Sequence, residues 1–353
     1  MPLGLISNVR MAGVAAAVPK RRVANHESDL LTAEEQERMI KAIGVRYRRV
    51  AEPGTCSSDL CFAAAEQLLS TLCWTPASVE ALIFISQSPD YVLPATAITL
   101  QARLGLPMSC LAFDINLGCS GYVYGLAVLG GLLSSLRIRR GLLLTGETSS
   151  KMTSPRDRSV ASLFGDAGTA TALELGDGAN PIYFDLSSDG NGWRSIHIPA
   201  GGYRKPVTAE SFVYGKAGEG IERNETQLIL DGAEVFNFSL REVPKSVHNV
   251  LSFAKRPIDS VDYFLFHQAN LMMNEFIRKK MKISEGKMPY SLPNFGNTSS
   301  AAIPLTLVTN TEVAQRAALG RVSWLMCGFG VGLSWGSALV ETDRLKLPDL
   351  VEI

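Results

Sequence analysis

Apolar and polar positions along this chain fall into short and long blocks that alternate. The run Ala81-Leu82-Ile83-Phe84-Ile85 is short, continuous and apolar, the pattern of a strand buried on both faces. Residues 95–104 then read as a helix, 110–115 as a strand, 120–136 as a helix and 140–145 as a strand. This order predicts α/β architecture with largely parallel sheets. Residues 117–136 contain no charge and are long enough to cross a bilayer. They also contain Gly118, Gly121, Gly125, Gly130, Gly131 and three serines, and Asp114 lies just before them. Small residues permit close backbone approach, so the segment is expected to be a helix buried at the centre of a soluble fold.

Residues 11–18 form an apolar stretch with Arg10 before it and Lys20, Arg21 and Arg22 after it. A secretion signal places its basic residues in front of a longer apolar run, so a first strand ending at a Pro19 turn is expected instead. Residues 25–49 are rich in charge, and 33–42 read as a helix. Residues 185–225 are rich in Gly, Ser and charge with little periodicity, as in a long excursion at the surface or over a site.

The chain repeats itself weakly. Residues 78–87 resemble 260–269, each with an acidic corner feeding an apolar strand. Phe164-Gly165-Asp166-Ala167-Gly168 echoes Phe329-Gly330-Val331-Gly332, and strands are expected after both, at 171–175 and 337–340. Two matches in the same order imply two related halves that divide near residues 176–180. The halves are read as 1–176 and 177–353.

The 353 residues include 34 basic and 34 acidic side chains, so the chain has no net charge. Nucleic acid or an anionic membrane as the main partner calls for a basic surplus, so neither is expected. Hydrophobic content of 46% with 19% charged residues describes a large interior. The six cysteines form no CxxC pair and suggest neither a disulfide framework nor a zinc site. They are read as free thiols of a cytoplasmic protein.

Candidate chemistry lies in three strings. Cys119, in Asn116-Leu117-Gly118-Cys119-Ser120-Gly121, falls between a strand and a helix. A thiol at a helix N-terminus is biased toward thiolate, the form that attacks a thioester. A buried structural cysteine fits the spacing equally. His267 ends an apolar strand, where α/β proteins bind ligands. A hydrogen-bonded structural role fits it too. Asn297, in Asn294-Phe295-Gly296-Asn297-Thr298-Ser299, precedes a helix-like stretch over 302–313. It is either a helix cap or a neutral donor beside His267. The Gly328-Phe329-Gly330-Val331-Gly332 run lacks the spacing of a phosphate loop. Closely spaced glycines instead bring a backbone N–H toward a reacting oxygen.

In combination and order, these strings resemble the ketoacyl-acyl-carrier-protein (ACP) synthase III family of the thiolase superfamily. The resemblance covers nearly the whole chain. It implies a thiolase-like five-layered αβαβα fold of two similar halves, and a homodimer. It also implies an acyltransferase of the 3-oxoacyl-ACP synthase III type in fatty-acid or related acyl-chain biosynthesis. Cys119 would carry an acyl group delivered by acyl-CoA or acyl-ACP. His267 and Asn297 would complete the triad and serve decarboxylative condensation with malonyl-ACP. Backbone N–H groups of Cys119 and Val331 would form the acyl oxyanion hole, given a negative φ at Val331. No metal or other cofactor is implied.

Several positions depart from the family pattern. Leu93 stands where members commonly carry an aromatic that closes the acyl pocket of the neighbouring subunit, which implies room for a longer or branched acyl group. Arg38 and Ala42 replace a Trp and an Arg that grip coenzyme A, and Met272 replaces an Arg of the carrier-protein surface. Arg278, Lys279, Lys280 and Lys282 form a basic cluster, either a docking surface for an acidic carrier protein or a solvated helix face. Two alternative functions remain: acyl transfer to an alcohol or amine without decarboxylation, and a silent partner subunit of a ketosynthase.

Overall fold

The computed structural model describes residues 3–27 and 30–353. Two sheets face each other across a layer of helices. The first has six strands, in the order Val351–Glu352, Val9–Val18, Ala167–Leu175, Arg140–Glu147, Ala81–Ile85 and Leu111–Ile115. The second has five, in the order Leu3–Ile6, Ile182–Ser188, Ser334–Asp343, Arg321–Gly330 and Tyr263–Phe266. The expected Ala81–Ile85 strand is buried at every position and pairs in parallel with a neighbour on each side.

The uncharged segment forms the Gly121–Leu136 helix in the central layer. Tyr122, Val123, Leu126, Leu129 and Leu133 pack in one core with residues of both sheets. A Cβ on Gly125 would lie 2.4 Å from Ile85 Cδ1 and 2.6 Å from Leu143 Cδ1, so the helix axis approaches the sheet closely. Among the described residues no helix is long and apolar enough to cross a membrane. The Ser57–Leu72 and Thr96–Arg103 helices cover the outer face of the first sheet. The Gly232–Phe253 and Leu271–Lys280 helices cover that of the second. These are the five layers of a thiolase-like αβαβα fold.

The repeat has a structural counterpart. The Pro76–Ser78 and Ile258–Ser260 turns are both short 3-10 helices, and each leads into a parallel strand. The two ends of the chain cross between sheets, however. Leu3–Ile6 pairs with Ile182–Ser188 of the second sheet, and Val351–Glu352 pairs with Val9–Val18 of the first. A cut at residue 176 therefore separates neither sheet cleanly. The expected helix over 302–313 is two helices, Ala302–Thr309 and Thr311–Leu319. Asn310 breaks it because its side chain caps the second helix by accepting from the Val313 N–H at 3.1 Å.

Candidate active site

Cys119 lies just beyond the Leu111–Ile115 strand, in the turn that opens the Gly121–Leu136 helix. The residue as a whole is partly exposed. The Ser299 hydroxyl lies 3.8 Å from Sγ. Backbone N–H groups of Val331 and of Cys119 itself also serve the sulfur. Burial nevertheless pushes the thiol above its usual range, and these hydrogen bonds draw it back only in part. The expected bias toward thiolate is thus outweighed in the resting protein, because desolvation of the charge exceeds what the helix terminus and donors return.

The glycine run is built against this thiol. Gly330, the last residue of the Arg321–Gly330 strand, has φ 156°, and a Cβ on it would meet Cys119 Cβ at 2.7 Å and Sγ at 2.8 Å. Val331 is not among the described residues with positive φ, which meets the condition for its N–H to face the site.

His267 follows the Tyr263–Phe266 strand and is 2% exposed. Its backbone carbonyl accepts from Asn274 Nδ2 at 3.0 Å, and its ring stands edge-to-face on Phe329 at 5.6 Å. Nδ1 has no protein partner. Burial lowers the imidazole pKa to about 4, partly offset by a hydrogen bond with the Ser299 backbone. His267 is therefore neutral at neutral pH.

Asn297 is not the helix cap. The Ser299–Ala301 turn separates it from the Ala302–Thr309 helix, whose N-cap is Ala301. Its Oδ1 accepts the Ser299 N–H at 2.9 Å and its Nδ2 reaches the Ala269 carbonyl at 3.4 Å. An amide has two N–H groups, so one is left for the cavity. The backbone of Asn297 donates to the Leu163 carbonyl at 2.9 Å and accepts from the Gly165 N–H at 3.0 Å. The Phe164–Gly168 string thus braces Asn297.

Cys119, His267, Asn297, Ser299 and Val331 line one cavity of about 90 Å³. Apolar side chains also line it, among them Ile196 from the 185–225 excursion and Leu228 and Leu230 just beyond it. Among the described residues no group of three or more His, Cys, Asp or Glu is placed to hold a metal ion.

Other expected residues lie apart from the cavity. Leu93 is 75% exposed and does not line its own chain's cavity. Arg38, paired with Glu34, and Ala42 are exposed on the Ala33–Ile43 helix. Arg278 is held by both Glu275 oxygens and the Ile283 carbonyl, so its guanidinium is already occupied. Lys280 donates to the Leu240 carbonyl at 2.8 Å, and Lys279 is exposed. Beside them Met272 and Phe276 are exposed.

The sequence reading missed Ser299, Gln87 and Glu147. Ser299 sits at φ 51°, a strained value for a non-glycine residue, with its hydroxyl toward Cys119. Gln87 Oε1 lies 2.5 Å from where a Gly118 Cβ would be. Glu147 closes an apolar strand at the site, and a lone charge at such a strand end was the available signal.

Comparison with known proteins gives one consistent result. A family model described as 3-oxoacyl-[acyl-carrier-protein] synthase III matches residues 113–190, and its C-terminal counterpart matches 251–342. The chain is 34% identical over 352 residues to a putative 3-oxoacyl-[acyl-carrier-protein] synthase 3 of Campylobacter jejuni, covering 97% of this chain and 96% of that one. It is 30% identical over 335 residues to a beta-ketoacyl-[acyl-carrier-protein] synthase III of Caldanaerobacter subterraneus, covering 94% and 97%. A crystal structure of a 3-oxoacyl-(acyl-carrier protein) synthase from Burkholderia xenovorans is similar with TM-score 0.93 and 42% identity, over 100% of this chain and 99% of that one.

Proposed function

The chain belongs to the 3-oxoacyl-ACP synthase III family and is a β-ketoacyl-ACP synthase III-like enzyme, and we propose that Cys119, His267 and Asn297 carry its chemistry. The observation that supports these roles is convergence: the Cys119 thiol, the His267 imidazole and the Asn297 amide come from distant segments and line one cavity. In the first step Cys119 Sγ attacks the carbonyl of an acyl thioester. The new C–S bond forms on Cys119, the old one breaks, and the departing donor thiol takes up the proton. The Cys119 and Val331 N–H groups, which serve the sulfur in the resting protein, are read as the donors to the developing oxyanion.

Malonyl-ACP then binds and loses carbon dioxide, and its thioester oxygen gains negative charge. Neutral His267 and the free N–H of Asn297 donate to that oxygen. Each such donor typically contributes about 3 kcal/mol. The resulting carbanion attacks the acyl-enzyme, a C–C bond forms, and Cys119 is released. These steps need no metal or organic cofactor.

The apolar cavity suits the arm of a carrier protein, and Lys279 and Lys280 lie on a helix that also lines it through Met273. We assign the docking of an acidic carrier to that face, with Arg278 in a supporting role. Arg38 is paired with Glu34 and Ala42 carries no ring or charge, so neither reproduces the family's Trp and Arg grip on coenzyme A, which favours acyl-ACP over acyl-CoA as donor. The proposed homodimer joins the Leu111–Ile115 edge strand to its copy and delivers Leu93 to the partner's acyl pocket. A cytoplasmic setting accords with six free thiols.

The test is a panel of acetyl, octanoyl and branched donors, read by intact mass and followed by malonyl-ACP with carbon dioxide detection. A thioester-linked mass gain on Cys119, lost in Cys119→Ala, together with carbon dioxide release is the expected result. Mass gain without carbon dioxide indicates simple transfer, and no mass gain indicates a silent subunit.

A further inference from the structure

We propose that Glu147 is a positioning residue for Cys119: its carboxyl ties the Gln87–Ser88 turn to Ser300 and so fixes the two walls, Gln87 and Ser299, between which the thiol sits. This rests on the reading of Cys119 as the acyl carrier.

Glu147 ends the Arg140–Glu147 strand and is fully buried. Its Oε1 accepts from the Gln87 N–H at 3.0 Å and from the Ser300 hydroxyl at 3.5 Å. Its Oε2 accepts from the Ser88 hydroxyl at 2.9 Å and the Ser86 hydroxyl at 3.3 Å. Ser88 Oγ in turn accepts the Thr148 N–H at 3.0 Å, which closes the clamp on the strand that supplies Glu147. The two clamped segments meet again at Gly118. A Cβ there would lie 2.5 Å from Gln87 Oε1 and 3.2 Å from Ser299 Oγ. One carboxyl therefore ties together both walls, which converge on Gly118, the residue before the nucleophile.

The titratable groups that face Glu147 are Cys119, from the turn ahead of the central helix, and Cys61, from the Ser57–Leu72 helix. Its hydrogen-bond partners are the Ser86, Ser88 and Ser300 hydroxyls and the Gln87 N–H. Placing a carboxyl there without a cation is costly, and an amide or apolar residue would pack at lower cost. Burial, only partly offset by its hydrogen bonds, raises its pKa to about 8. Below that pH the group is neutral and Cys119 ionises without a negative neighbour. Above it, the carboxylate opposes the thiolate, and the two titrations are coupled.

Glu147→Gln keeps the shape, because its oxygen can still accept from Gln87 while the serine hydroxyls rotate to accept from its amide. Glu147→Ala removes the clamp. The experiment measures Cys119 alkylation by iodoacetamide against pH, by mass, and acyl transfer at saturating donor. At pH 9 Glu147→Gln is expected to alkylate about threefold faster than the wild type or more, since no carboxylate forms. Glu147→Ala is expected to lose about tenfold in kcat or more, with substantial recovery in Glu147→Gln. An alkylation profile of Glu147→Gln that superimposes on the wild type overturns the proposal, whether or not Glu147→Ala folds. Equal kcat in the alanine variant and the wild type overturns it as well. Alkylation needs no acyl donor, so a failure of the acyl-carrier reading appears separately, as an absent acyl mass on wild-type Cys119.

Discussion

At Gly330 the backbone passes so close to Cys119 that hydrogen is the largest substituent the site accepts. A methyl group would sit 2.8 Å from Sγ on a residue held at φ 156°. Gly330→Ala is expected to slow acyl-Cys119 formation about 100-fold, because misplacing a nucleophile by a fraction of an ångström is costly. Thermal melting should fall far less, and a time course by intact mass beside a melt checks both. A similar loss in carbon dioxide release, about 100-fold, is expected for Asn297→Ala, with acylation of Cys119 retained. His267 adds a pH dependence. Its pKa is depressed to about 4 from the usual 6.5, so its stabilising contribution is present above pH 6.5 and lost as pH falls toward 4. The full effect is roughly 3 kcal/mol at most. Glu147 acts in the opposite sense: its raised pKa gives a contribution present below about pH 4.5 and lost as pH rises through about 8. Comparing denaturant midpoints of the wild type and His267→Gln isolates the histidine. The wild type should lose stability relative to the variant between pH 6.5 and 4, and parallel curves would contradict the buried neutral imidazole.

At the scale of elements, the central helix depends on small residues for its depth. Gly125→Val would drive methyl groups into Ile85 and Leu143, and over-packing of this kind costs about 1–3 kcal/mol. A lowered urea midpoint with an unchanged slope checks this. That helix and the Ala81–Ile85 strand were legible in the sequence because full burial leaves uninterrupted apolar runs. The break at Asn310 was obscured, since the polar stretch Thr309-Asn310-Thr311-Glu312 spans about one turn and apolar residues resume at Val313, as they would along the face of one continuous helix. The crossing of the terminal strands between sheets carries no local signature at all, because a strand's partner is set by tertiary packing. The site follows the same division. The Cys119, His267 and Asn297 strings stand at strand and helix ends that a pattern reveals. Ser299 and Glu147 matter only through contacts across the chain, and the desolvation that raises the Cys119 pKa cannot be read from spacing.

At the scale of the whole molecule, one edge of the first sheet is poorly suited to solvent. The Leu111–Ile115 strand ends its sheet with Leu111 exposed, and Tyr91, Val92, Leu93 and Met108 are exposed as well. An unpaired edge flanked by apolar side chains invites pairing with another chain. Leu93 gives the proposed pairing a functional consequence: since it lies outside its own cavity, it can influence acyl choice only from one subunit to the other. The wild type is expected to sediment as a dimer, and Met108→Asp with Leu111→Asp is expected to sediment as a monomer. In the dimer, Leu93→Phe should shift donor preference from octanoyl toward acetyl by about tenfold, as a filled hydrophobic pocket excludes added methylenes. In the monomer the same substitution should leave the residual preference unchanged. A Leu93→Phe effect that persists in the monomer would place Leu93 at its own chain's pocket and contradict a shared acyl site.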